Sequence, residues 1–182
     1  MRIISGKLKG RQITAPKGLP VRPTTDFAKT ALFNILANHV DFDEISVLDL
    51  FCGTGNISYE FVSRGCQQLI AVDENQKVLK FVEETFKKFG MTEARTIRSD
   101  VFRFLKSCHT TFDIIFADPP FELSSTDTLP GIVYEKKLLN EDGWLIIEHQ
   151  SKRKLESEIQ PDEIRVYGNC AFSIYRVGGK ME

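Results

Sequence analysis

The chain has 182 residues, 42% hydrophobic and 27% charged, with a formal net charge of −1, the composition of an ordinary globular protein with one domain's worth of core. No apolar stretch is long enough to cross a membrane and the start lacks the apolar core of a signal peptide, so no membrane partner and a cytoplasmic location are expected. Cys52, Cys66, Cys108 and Cys170 form no Cys-x-x-Cys pair, and His39, His109 and His149 are isolated, so neither a disulfide framework nor a metal site is expected.

The charge is unevenly placed. Residues 1–29 carry seven basic side chains against Asp26 alone, a net of +6 that leaves −7 on the remainder. A basic arm on an acidic body suits a polyanion that meets the arm first; a solvated, lysine-rich terminus accounts for the charge equally well.

In chain order, Ile3-Ile4 and Gln12-Ile13-Thr14 flank a glycine-punctuated basic stretch, which predicts a short β-ribbon with its basic side chains outward. Pro16, Gly18, Pro20 and Pro23 then forbid regular structure. Thr24-Thr25-Asp26 offers cap chemistry, and Ala28, Ala31, Leu32, Ile35 and Leu36 recur at helical spacing, predicting a helix over 26–38. Strands are predicted at 46–50, 68–72, 94–97, 113–117 and 144–148. Helices are predicted between them at 56–64, 75–89 and 101–106, with a looser one over 126–139. Such alternation implies an α/β fold with a mostly parallel sheet covered on both faces. Residues 165–167 and 172–177 are β-rich and close together, so the chain should end in an antiparallel hairpin.

Val47-Leu48-Asp49-Leu50-Phe51-Cys52-Gly53-Thr54-Gly55 runs from a strand into a Gly-x-Gly turn and a helix start, where open α/β sheets bind nucleotide-like ligands. A dinucleotide fingerprint would place glycine at position 58, where this chain has Ser58. Asp49 precedes the glycines. A carboxylate there would repel a pyrophosphate and receive an ammonium, which favours S-adenosylmethionine over NAD. Asp73 closes the second strand, where an acid accepts ribose hydroxyls. Asp100, followed by Val101-Phe102, can accept from an adenine amino group while those side chains pack on the ring. A helix cap explains Asp73 or Asp100 taken singly about as well; six such residues at one sheet edge, Asp118 included, are harder to attribute to chance.

After the buried-strand pattern of residues 112–117, Asp118-Pro119-Pro120-Phe121 must leave the sheet stiffly, because neither proline donates a ladder hydrogen bond. Carbonyl and carboxylate acceptors are thereby held beside an aromatic face, a set suited to a flat heterocycle bearing an amino group.

Together with Arg2-Ile3-Ile4-Ser5-Gly6, Arg22-Pro23-Thr24-Thr25-Asp26 and Leu32-Phe33-Asn34, these motifs make the chain resemble the class I S-adenosylmethionine-dependent methyltransferases. More narrowly, it is similar to the RsmD-like family, which methylates the exocyclic N2 of a guanine in small-subunit (16S) ribosomal RNA. The resemblance implies a Rossmann-like fold with a seven-stranded sheet, divided here into a basic arm and helix, 1–40, and a methyltransferase domain, 41–182. It implies cofactor contacts from Asp49, Phe51, Gly53, Gly55, Asp73, Asp100 and Val101, and catalysis at Asp118, Pro119, Pro120 and Phe121. Ribosomal RNA, free or in an assembling small subunit, would meet Arg2, Lys7, Lys9, Arg11, Arg22 and Lys29. One departure stands out: the family's Arg-x-x-Glu pair before Leu-Phe-Asn is absent, the stretch here being Phe27-Ala28-Lys29-Thr30-Ala31. Three rivals stay open: a nicotinamide-dependent oxidoreductase, a non-catalytic RNA-binding module on the same fold, and an adenine-N6 methyltransferase with a similar corner.

Overall fold

The computed structural model describes residues 1–16, 18 and 25–178. The prolines at 20 and 23, and Arg22 with its expected phosphate contact, lie outside the described residues.

Seven strands form one sheet: β1 Ser46–Leu50, β2 Gln68–Asp73, β3 Ala94–Arg98, β4 Phe112–Ala117, β5 Leu139–Gln150, β6 Glu163–Tyr167 and β7 Cys170–Arg176. Their order is β3-β2-β1-β4-β5-β7-β6. The first five pair in parallel, and β7 runs antiparallel to both neighbours. The helices are α1 Asp26–Leu36, α2 Asn56–Arg64, α3 Gln76–Phe89, α4 Val101–Ser107 and α5 Leu129–Glu135.

Side chains alternate across the strands and sort the core into two layers. Val47, Leu69, Ala71, Ile114, Phe116 and Ile146 pack with apolar residues of α1, α2 and α3. Leu48, Leu50, Ile70, Val72, Ile115 and Ile147 pack with those of α4 and α5. Asp49, one residue from Leu48 and Leu50, therefore belongs to the α2 face. The crossovers leave β1 and β4 toward opposite faces, so a crevice opens at the carboxyl ends of these two adjacent strands.

Several predicted boundaries shift, the first helix ending at Leu36 rather than 38. The helix over 75–89 begins at Gln76, because Asn75 is the cap: its side chain accepts from the Lys77 and Val78 amides. The loose helix over 126–139 becomes a 3-10 turn, Ser124–Thr128, and α5. Pro130 suits the first turn of α5, and Lys137 at φ 51 turns the chain out of it. Leu139 is then free to pair with Phe112, so β5 starts earlier than 144, with an irregularity before Trp144 meets Ile114. In the hairpin, Gly168-Asn169 alone make the turn, and Cys170 pairs with Tyr167.

The amino-terminal ribbon reduces to one bridge, Arg2 to Gln12, with flanking backbone bonds between Ile3 and Arg11 and between Gly10 and Ile3. Ile3 and Ile13 are buried against α1 and α2, so the ribbon covers α2 and shares its core. Gly6 makes the closest approach: a Cβ there would lie 1.8 Å from the Ser63 carbonyl oxygen. Glu60, fully buried on α2, accepts from the Ile4 and Ser5 amides at 2.8 and 3.0 Å and from Arg64 Nε at 2.9 Å.

Candidate active site

The turn after β1 is built around a backbone that few residues adopt. Phe51 sits at φ 57, Gly53 at φ 51 and Gly55 at φ 79. For Phe51 this left-handed conformation is unfavourable, on the order of 1 kcal/mol or more, and it directs the residue into the crevice, where its ring meets Phe102 edge-on at 6.2 Å. A Cβ on Gly55 would fall 2.7 Å from Cζ of the buried Tyr59 ring, so a side chain here would be strained and would displace that ring.

Asp49 is 1% exposed and accepts from Ser58 Oγ at 2.5 Å. The serine that breaks the dinucleotide pattern thus holds the acid before the glycines. Burial is the main cause that pushes the Asp49 carboxyl up to about 7; the Ser58 hydrogen bond opposes this and the Asp73 charge adds to it. Asp73 joins the second strand to the turn: its carboxylate accepts from the Gly53 amide at 3.1 Å and from the Asn75 amide at 2.8 Å. Asp100 caps α4, accepting from the Arg103 amide at 2.8 Å, and also lines the crevice. One residue therefore both caps a helix and lines the cavity.

The resulting cavity has a volume of about 480 Å³. Asp49, Asp73, Asp100 and Asp118 supply acceptors, and Phe51, Val101 and Phe102 supply apolar wall. Such a slot suits a ligand with an ammonium, adjacent hydroxyls and a flat amino-bearing ring. Gly55 shapes the turn without lining the cavity.

At the far end stands the Asp-Pro-Pro-Phe corner. The Asp118 amide donates to the Leu50 carbonyl at 3.3 Å, extending the β1–β4 pairing one step and placing Asp118 next to Phe51. A second cavity of about 380 Å³ lies beyond it, walled by Pro119, Phe121, Phe27, Glu148 and the hairpin turn. Asp118 lines both cavities. The loop is clamped by Arg153, whose guanidinium donates to the Phe121 and Leu123 carbonyls at 2.7 and 3.1 Å and faces Asp127 at 3.4 Å. No sequence signal marked Arg153, because its partners are carbonyls some thirty positions away.

The whole-chain comparison fits this geometry. The family model described as "Conserved hypothetical protein 95" matches residues 1–176. The chain belongs to this family, the RsmD-like methyltransferases. It is 34% identical to the putative rRNA methyltransferase YlbH of Bacillus subtilis, over 98% of this chain and all of that protein. It is 29% identical to ribosomal RNA small subunit methyltransferase D of Escherichia coli, over 100% of this chain and 86% of that one. Among solved structures, a putative methyltransferase from Escherichia coli superposes with a TM-score of 0.84 at 24% identity, covering 99% of both chains. An RNA methyltransferase from Salinibacter ruber, in complex with S-adenosyl-L-homocysteine, superposes with a TM-score of 0.66 at 14% identity, covering 88% of this chain and 97% of that one. The sheet order and the antiparallel end are thus those of the methyltransferase fold.

In this RsmD-like chain the basic residues do not behave alike. Arg2, Lys7, Lys9 and Arg11 are exposed, with Lys7 paired to Glu93 at 2.5 Å. Lys29 corrects the expectation of a phosphate contact. It is 1% exposed, and its ammonium donates to the Arg2 carbonyl at 2.7 Å and to Asn56 Oδ1 at 2.8 Å, with Glu60 at 3.9 Å. Its position on the core-facing stripe of α1, beside Ala28, Leu32 and Phe33, turns it inward, away from any polyanion. Among the described residues, no group of three or more His, Cys, Asp or Glu side chains could hold a metal ion, and no helix is long and apolar enough to cross a membrane.

Proposed function

We propose that this protein transfers a methyl group from S-adenosylmethionine to the exocyclic N2 of a guanine in small-subunit ribosomal RNA. The observation that carries the reading is the pair of cavities meeting at Asp118, one suited to a methyl donor and the other to an acceptor base. Family membership and the names of the relatives support the same reading.

The chemistry of the first cavity fits the donor. Asp49 suits the amino-acid ammonium, Asp73 the ribose hydroxyls, and Asp100 the adenine amino group between Val101 and Phe102. When bound, the cofactor supplies an electrophilic sulfonium methyl. The chain's own task is alignment: a guanine N2 lone pair is delocalised into the ring, so the protein must aim it and favour a tetrahedral nitrogen. Asp118 and the Pro119 carbonyl accept the amino hydrogens, while Phe121 stacks on the base. Pro120 keeps the corner extended.

The target must leave its stack to enter, which RNA loops allow cheaply. Residues 1–40 serve in this reading as the RNA-facing extension, with Arg2, Lys7, Lys9, Arg11 and Arg22 on flanking phosphates. The test is tritium transfer from labelled cofactor to small ribosomal subunits or their RNA, with the modified nucleoside identified by mass spectrometry. Wild type should yield N2-methylguanine, and Asp118→Ala should lose on the order of a hundredfold in rate. No transfer by wild type, or N6-methyladenine as the product, overturns the reading.

A further inference from the structure

We infer that Glu148 reads the Watson–Crick edge of the target base and makes the second cavity select guanine over adenine. This rests on the methyltransferase reading of the same site.

Glu148 lies near the end of β5, the strand beside β4, and it lines one cavity together with Asp118. The residue is 6% exposed. Its Oε1 is 3.3 Å from Cys170 Sγ, at the start of β7. The same cavity is lined by Tyr167 and the Gly168-Asn169 turn of the terminal hairpin, and Phe27 meets Tyr167 edge-on at 6.0 Å. The hairpin thus has a use beyond completing the sheet: its turn is a wall of the base cavity.

Two carboxylates on one cavity present acceptors only. Guanine offers donors at both N1–H and N2–H on a single edge, which matches such a pair. Adenine offers a donor at N6 but a lone pair at N1, which a carboxylate repels. If Asp118 takes the amino group that is to be methylated, the neighbouring carboxylate meets N1. A carboxylate accepts as many as about four hydrogen bonds, so a base edge can join the partners Glu148 already has, the Cys170 thiol among them. The Asp-Pro-Pro-Phe corner alone serves either base; Glu148 supplies the discrimination.

The test replaces the guanine mapped as the target with 2-aminopurine in small-subunit RNA. That base keeps the N2 amino group but has a bare N1 and no O6, so it is the response of Glu148→Gln that assigns the N1 contact. Wild type should methylate it at least about tenfold less efficiently than guanine, and Glu148→Gln, whose amide can donate to a bare N1, should narrow that ratio while losing about tenfold or more on guanine. Cofactor affinity of Glu148→Gln should match wild type. A wild type that treats both bases alike, or a Glu148→Gln that keeps both the guanine rate and the ratio, overturns the inference while leaving guanine methylation intact. Failure of wild type to methylate guanine at all overturns the functional reading instead. If the variant does not fold, a wild type that treats both bases alike still overturns the inference.

Discussion

Lys29 Nζ donates to Asn56 Oδ1 at 2.8 Å, which ties the first helix to the start of the helix behind the glycine turn. Asn56 lines the first cavity, and the same ammonium holds the Arg2 carbonyl. The basic arm and the first cavity therefore share one buried cation.

Removing that cation should be felt in stability. Lys29→Met leaves Glu60 near Arg64 and two backbone amides, so we expect a loss of about 2–3 kcal/mol, below that for a fully orphaned buried charge. Chemical denaturation measures it. The salt dependence of RNA binding should not change, since Lys29 does not reach solvent; a shallower slope would restore it to the phosphate-binding set.

The arm's exposed residues should show the opposite pattern. A Lys9→Ala/Arg11→Ala variant should keep its melting temperature while log affinity for RNA against log salt becomes shallower by about one to two. An unchanged slope would remove these two residues from the interface.

Asp49 predicts a pH dependence. Its carboxyl has an ordinary value of 3.8 and is pushed up to about 7 in the fold, so folding favours the protonated form. That stabilisation is full below about 3.8 and is lost as pH rises through about 7. Without ligand, Asp49→Asn should therefore melt above wild type at about pH 8, and the gap should close toward about pH 4. Under the proposed pairing of Asp49 with the cofactor ammonium, affinity should move the other way, falling in wild type as pH drops below about 7 and that carboxylate is protonated. Calorimetric titration across that range checks the sign.

Arg153 should matter to catalysis more than to stability. Arg153→Lys keeps the charge but loses the fork that spans the Phe121 and Leu123 carbonyls. We expect kcat/KM to fall about tenfold, from a loosened corner, with the melting temperature nearly unchanged. Wild-type kinetics in Arg153→Lys would show that the loop holds without it.

Gly55→Ala should fail twice, from the left-handed backbone and from the contact with Tyr59. A loss of at least about 1–3 kcal/mol is expected, together with weakened cofactor binding, measured by thermal denaturation with and without ligand.

Much of this was local enough to read along the chain. Strand β1 matched its predicted bounds, and α2 did too, because Gly55 and Gly65 mark its ends with left-handed backbones. The acids at the strand ends were legible as a set because a parallel sheet gathers successive carboxyl ends at one edge. Ser58 could be seen to break a dinucleotide pattern, but its bond to Asp49 depends on which face of β1 turns toward α2. Lys29 looked like one more arm cation because charge says nothing about orientation; the helical stripe it shares with Leu32 and Phe33 placed it inside. Arg153, Glu148 and the hairpin turn reach the corner across separations that no local motif records. Sequence by itself determined most element types, though not those of 126–139, together with the glycine turn and the stiff Asp118-to-Phe121 corner, since glycine, proline and hydrophobic period act on neighbouring residues. Only the tertiary structure decided which carboxylate faces which cavity, because strand order and burial, rather than chain spacing, bring β4, β5 and the terminal hairpin together.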